Sequence, residues 1–379
     1  MRNIVVFMVA AVVMFSSALA AHDFPQGAAP YEKSRRCSGC HPAVYKEWES
    51  SMHSKSSVHK DPAHSAMYGE FTGSMKDAGK EGGYPCAACH MPMAENIKEL
   101  MNGTDTPNGN LWREDEGVGC AFCHRAETIT GGKDRKRLFT INKDGAYLTS
   151  NKPEKAPHAV AANPMFAGGE LCMGCHSPVE SQSAICLTEE EGQSNCLSCH
   201  MERKEGPPSI ESAKTDHASH EMGGGHNITA LFKALSVNAK VNETGNGGKT
   251  LDIEVINNTS HSFPSSMPMR MSYLKVVAYD AKKQVIFSND KESSEDGNAV
   301  FMKASGGGTS FDRRLLSGGT RAFSYPIPND GVKSIIVEVI YRLFQSQAII
   351  SHPALTALKN AGDKEIDANF TIYKKEFIF

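Results

Sequence analysis

The chain has 379 residues, a net charge of −3 and a sequence pI near 6.6. It is long enough for two or three domains, and without a basic domain it gives no reason to expect a nucleic-acid partner. Aromatic residues make up only 8% of it, few for a conventional interior.

Residues 1–20 read as a secretory signal. Arg2 supplies the positive start, Ile4 to Phe15 form an apolar stretch, and Ala18-Leu19-Ala20 fits a small-x-small cleavage site. That stretch is short for a membrane span, and no Cys follows the cleavage site to carry a lipid. We therefore expect an exported, soluble protein that starts at Ala21 and works in the periplasm or outside the cell.

Five copies of Cys-x-x-Cys-His follow: Cys37 to His41, Cys86 to His90, Cys120 to His124, Cys172 to His176 and Cys196 to His200. They use ten of the eleven cysteines, so chance does not account for them. Two thiols at this spacing can form thioethers with the two vinyl groups of one porphyrin. The following His then lies under the ring and binds its iron, so each copy reads as an attachment site for a c-type haem. Structural zinc would draw four ligands from two arms. Here every pair has its own His, and the gaps of 49, 34, 52 and 24 residues show no paired rhythm. A disulfide framework gives no reason for a strict five-residue unit. Five covalent haems are the expected cofactors. They would be held by Cys37, Cys40, Cys86, Cys89, Cys120, Cys123, Cys172, Cys175, Cys196 and Cys199, with His41, His90, His124, His176 and His200 as proximal iron ligands. The short last gap suggests that the last two haems are neighbours.

Residues 21–230 form the expected haem domain, with short helices and loops around stacked haems. One motif per roughly 33 residues leaves too little chain for a core around each site. Pro42 to Ser51 reads as a helix, with Pro where a missing N–H costs little. Gly82 to Pro85 and Thr104 to Asn110 read as loops, and Asn227 to Leu235 as a helix leading out. From 231 to 379 the pattern becomes that of an all-β sandwich. Leu251 to Ile256 alternates, Tyr273 to Tyr279 and Gln284 to Ser288 form a hairpin, and Ile335 to Phe344 and Phe370 to Phe379 are further strands. Gly306 to Gly308 falls in a loop.

Each iron needs a sixth ligand. Beyond the motifs the chain holds ten histidines, most of them in the haem region. A lone His is usually a surface or hydrogen-bonded side chain, but this concentration favours ligation for about half of them. Met is the competing ligand, and with spare His we read most Met as haem packing. Cys186, the odd cysteine, reads as a small buried hydrophobe. The basic run 133–137 and the acidic run 189–191 read as solvated turns, the former with a weaker claim to dock an acidic redox partner.

Cys37 to His64 (CSGCHPAVYKEWESSMHSKSSVHKDPAH) resembles the opening of the multihaem cytochrome family that includes cytochrome c-554 and the hydroxylamine-oxidoreductase-like proteins. Gly117 to Arg125, Pro157-His158 and the segment His220 to His226 are similar to further parts of it, over about residues 35–230. The resemblance implies distal ligation by His53, His158, His226 and His220, followed by His64, His59 and His261. Asn257 to Arg270 resembles a His-x-Phe-Pro segment of C-terminal domains attached to such cytochromes. Ser260, Ser265 and Ser266 depart from that pattern, which weakens ligation by His261 and leaves it reading equally as a residue that docks the β domain on the haems and as a strand-end His in a turn. His217 lies close to His220, and one of the two reads as a bystander; His352 reads as structural, and His22 as free or as a ligand to a neighbouring subunit.

Three functions fit. The first is an electron relay through mostly bis-His haems in anaerobic respiration, passing electrons to other cytochromes, membrane quinol-linked complexes or an extracellular acceptor. The second is an oxidoreductase acting on hydroxylamine or nitrite at one open haem. The third is a subunit of a conductive cytochrome filament or other homo-oligomer.

Overall fold

The structure, a computed structural model, describes residues 31–77, 83–130, 138–153, 155–176, 196–245, 248–265, 269–294, 297–306, 309–328 and 330–379. The signal segment, His22, Cys186 and the two charged runs lie outside the described residues.

Up to about residue 220 the elements are short. The helices are α1 (Pro42–Ser50), α2 (Pro62–Asp77), α3 (Ala87–His90), α4 (Ile97–Asn102), α5 (Trp112–Asp115), α6 (Cys120–Arg125), α7 (Met165–Gly168) and α8 (Cys196–His200). Between them lie three small ladders: β1 (Ala126–Thr130) with β2 (Leu138–Ile141), β3 (Tyr147–Thr149) with β4 (Val160–Ala162), and β5 (Arg203–Glu205) with β6 (Asp216–Ala218). The sequence reading did not place these ladders, because strands of three to five residues show no usable period. A buried cluster including Tyr84, Met91, Leu100 and Phe122 packs one side of this region.

α9 (Ile228–Ala234) leads out of it, and the Asn227 side chain accepts from the Ala230 amide as its N-cap. Two antiparallel sheets follow. One has three strands, β7 (Leu235–Glu243), β8 (Lys249–Asn257) and β13 (Thr320–Ile327), with β8 central. The other has six: β9 (Met271–Tyr279), β10 (Val285–Ser288), β11 (Val300–Gly306), β12 (Thr309–Asp312), β14 (Ser334–Arg342) and β15 (Phe370–Ile378). The short helix α10 (Asp290–Ser293) sits between β10 and β11. β9 pairs with β10 across the turn expected from Asp280 to Lys283 and with β14 on its other side. Alternation turns Leu251, Ile253 and Val255 of β8, and Leu274, Val276, Val337 and Val339 of β9 and β14, into one buried cluster.

Two more helices, α11 (Ser346–Ser351) and α12 (Pro353–Asn360), connect β14 to β15. α12 packs against α2, whose Ala63, Ala66 and Met67 touch the β cluster. Glu70 of α2 fixes the join, accepting from the Ala354 amide at 2.7 Å and meeting His352 Nδ1 at 2.8 Å.

Leu274 is fully buried in that shared cluster. Leu274→Ala is expected to cost about 2–5 kcal/mol through lost burial and the cavity left behind. Denaturant melts followed at the β region would read this as a lower midpoint with an unchanged slope.

Candidate metal centres

Each motif forms a single helical turn. The amide of the His bonds to the carbonyl of the first Cys in the first, second and fourth motifs (2.8, 3.0 and 2.8 Å). In such a turn residues i and i+3 share a face, so both thiols and the imidazole project to one side. All five turns open into one cavity of about 2230 Å³. A single small-molecule pocket is roughly 300–1,000 Å³.

Across that cavity the imidazoles stand in twos. His41 faces His158 with ring centres 6.3 Å apart, His124 faces His220 at 6.3 Å, His176 faces His53 at 6.0 Å and His200 faces His261 at 6.3 Å. The spacing tests the fit of a metal. With metal–nitrogen bonds of about 2 Å, and each nitrogen about 1.2 Å from its ring centre, two imidazoles on one ion stand about 6.3 Å apart. These four pairs match it. His90 and His64 are only 4.2 Å apart, and the Tyr84 hydroxyl lies 2.8 Å from His64 Nε2.

The other ring nitrogens fix orientation. Nδ1 meets the carbonyl of Pro208 in His41 (2.7 Å), Leu148 in His124 (2.8 Å), Gly223 in His200 (2.5 Å) and Ala218 in His220 (2.8 Å). A carbonyl can only accept, so Nδ1 donates and Nε2 carries the lone pair aimed at the partner ring. His64 and His90 both meet the Ser56 carbonyl, at 2.9 and 3.0 Å. Burial pushes His53 and His64 down to about 3 and His220 down to about 4, which keeps them neutral as ligands must be.

The ladders missed from the sequence position several of these groups. β3 supplies the Leu148 carbonyl, and β6 leads into His220. Glu47 of α1 braces that loop, accepting from the His220 amide at 2.8 Å and meeting His217 Nε2 at 3.2 Å and Lys204 Nζ at 3.4 Å. Burial alone would raise the Glu47 carboxyl, but the His220 amide and the His217 ring outweigh it and hold it below its ordinary value.

Of the sequence-derived distal candidates, the structure brings His53, His158, His220 and His261 to bridging distance of a motif His, and His64 closer than that. It does not bring His226 or His59 there. His226 has Nε2 at 3.2 Å from Arg270 Nη2 and Nδ1 at 3.3 Å from a Glu365 oxygen, so both nitrogens are engaged elsewhere. His59 is exposed and packs by the backbone of Gly109. His261 comes from the loop between β8 and β9, so one pair spans the haem region and the β region.

Thiols of different motifs also meet. Cys37 lies against Cys120, Cys89 against Cys175 and Cys172 against Cys196, while Cys123 is felt electrostatically by Cys172 and Cys175. The contact of Cys172 with Cys196 agrees with the short gap between the last two motifs.

Residues 36–125 match the family described as cytochrome c554 and c-prime, and residues 163–205 match the doubled CXXCH motif. No curated protein matches the chain. Among solved structures it is similar to a penta-heme cytochrome c552 from Thermochromatium tepidum. The TM-score is 0.71 at 22% identity, covering 92% of this chain and 99% of that one, so the likeness is one of fold. Motifs, matches and fold together support a multihaem c-type cytochrome.

Proposed function

We propose that this multihaem c-type cytochrome carries five haems and relays electrons between redox partners outside the cytoplasm. The observation that carries this reading is the four imidazole pairs at the spacing of two ligands on one ion. When bound, each haem would supply an iron that cycles between ferrous and ferric states. The cysteines named above would fix each haem by two thioethers. His41 with His158, His124 with His220, His176 with His53 and His200 with His261 would close both faces of their irons and keep substrates off. The thiol contacts set an order, with the first motif beside the third, the third beside the fourth, and the fourth beside the second and fifth. Respiration is the setting we favour, with other cytochromes or quinol-linked complexes as partners. Residues 1–20 would serve as the export signal, and the two sheets from about residue 231 as the layers of a sandwich.

A second reading concerns the remaining pair. The Tyr84 hydroxyl occupies His64 Nε2, and the His64 ring stands too close to His90 to share an ion with it, which would leave that iron a sixth position open to a small ligand such as nitrite or hydroxylamine. Intact-mass measurement and EPR of the ferric protein test both readings. The expected result is the mass of five haems, with four low-spin signals that ignore cyanide and nitrite. Fewer than five haems, or two or more high-spin irons, would sink the relay as drawn. A fifth signal that is low-spin and inert would sink the open site.

A further inference from the structure

Arg125 directly follows the third motif and is 4% exposed. Its Nε has no hydrogen-bond partner, Nη1 reaches the Ala146 carbonyl at 3.4 Å, and the guanidinium also meets the Tyr147 hydroxyl. The guanidinium lies over the Tyr147 ring, 4.2 Å from its centre. Among the described residues no carboxylate forms an ion pair with it, and Glu32, the acid felt by Tyr147, pairs with Arg36. A buried guanidinium without a counter-charge is costly, so the site is built for an anion that the described residues do not supply.

Its place says which anion. Arg125 lines the cavity that holds the five motifs. The Tyr147 ring meets His158 edge-on at 5.1 Å, and His158 is the partner of His41. On the other side, His124 feels the charges of His41 and His158. Arg125 thus stands at the junction of the first and third sites. A haem brings two carboxylates, its propionates, and the guanidinium fork matches a carboxylate.

We propose that Arg125 is the counter-charge for a haem propionate at this junction and holds the potential of that haem up. The proposal rests on the reading that these sites hold haem. A fixed positive charge near an iron favours its reduced form, so removing the charge lowers the midpoint.

The test is a spectroelectrochemical titration of the full-length, haem-loaded protein and of Arg125→Gln and Arg125→Lys, with haem content by mass. In R125Q one midpoint is expected to move to more negative potential while the other four stay, and R125K is expected to keep the wild-type value. Five unshifted midpoints in a fully loaded R125Q overturn the proposal. Equal shifts in R125Q and R125K also overturn it, because they mark a packing role. If R125Q loses haem, R125K decides: full loading with wild-type midpoints supports the proposal, and equal loss overturns it. A wild-type midpoint that tracks added phosphate or chloride would assign the site to a free anion instead. Absence of haem in the wild-type protein would strike at the relay reading and not at Arg125 alone.

Discussion

His261→Ala is expected to turn one of the four low-spin haems high-spin and open it to cyanide, with the low-spin signal restored by added imidazole. Asn257, at the end of β8, is 1% exposed. Its amide nitrogen lies 2.7 Å from the His261 carbonyl and 3.0 Å from those of Leu315 and Leu316, and its oxygen accepts from the Thr259 amide at 2.9 Å. A buried amide so fully used fixes the loop that presents His261. The ring then stands 6.3 Å from His200 and 20° from parallel to it. No neighbouring His can take over, because His226 is engaged by Arg270 and Glu365. His226→Ala is therefore the control, with all five spin states expected unchanged. If H261A keeps every low-spin signal, or H226A loses one, the assignment of the fifth pair is wrong. The same change removes a tie between the haem region and the β region. Hydrogen exchange at α9 is expected to quicken in H261A, with the β8 and β9 cores unaffected.

What could be read from the sequence depended on the range of the interaction behind it. Cys-x-x-Cys-His is a local device in which one turn of helix gathers both thiols and the imidazole, so the five motif turns were legible residue by residue. β8 was legible for a similar reason, since the alternation from Leu251 to Ile256 is a local consequence of having one face buried, and β14 was legible as a long run of strand-forming residues. The distal partners are tertiary. His158 follows a loop before β4, His220 follows β6, and His261 comes from a different sheet system, so no spacing rule connects any of them to its motif. The resemblance to a family carried His53, His158 and His220, and it placed His226 above His261. The Arg270–Glu365 clamp on His226 involves residues far along the chain that carried no signal of their own. In the sequence Arg125 is only the residue after the third motif, because burial without a counter-charge cannot be seen there.

Producing the chain without haem is expected to separate its two parts. The β region has a continuous cluster, from Leu251 through Val337 to Ile372, that needs nothing from outside. The haem region instead lines a cavity of about 2230 Å³ with cysteine and histidine side chains. Left without haem, this partly open cavity exposes a largely apolar lining to water, at about 25 cal/mol per Å². That cost is comparable with the whole stability of an ordinary domain, about 5–15 kcal/mol. The region must therefore collapse into another arrangement or unfold when nothing fills it. Two buried pairs add to the effect, since His53 and His64 are kept neutral only by burial and would take up protons on exposure below their ordinary value. Hydrogen exchange on protein made in a host that lacks haem attachment should show near-complete loss of protection in α3, α6 and α8. Protection in β8, β9 and β14 should persist. α2 should sit between these limits, because Ala63, Ala66 and Met67 pack on the β cluster and Glu70 is tied to α12. Full protection of α6 in the haem-free chain would mean that the cavity holds its shape unaided. Loss of protection in β9 and β14 would mean that the two regions fold as one unit, with the haems as part of the core of both.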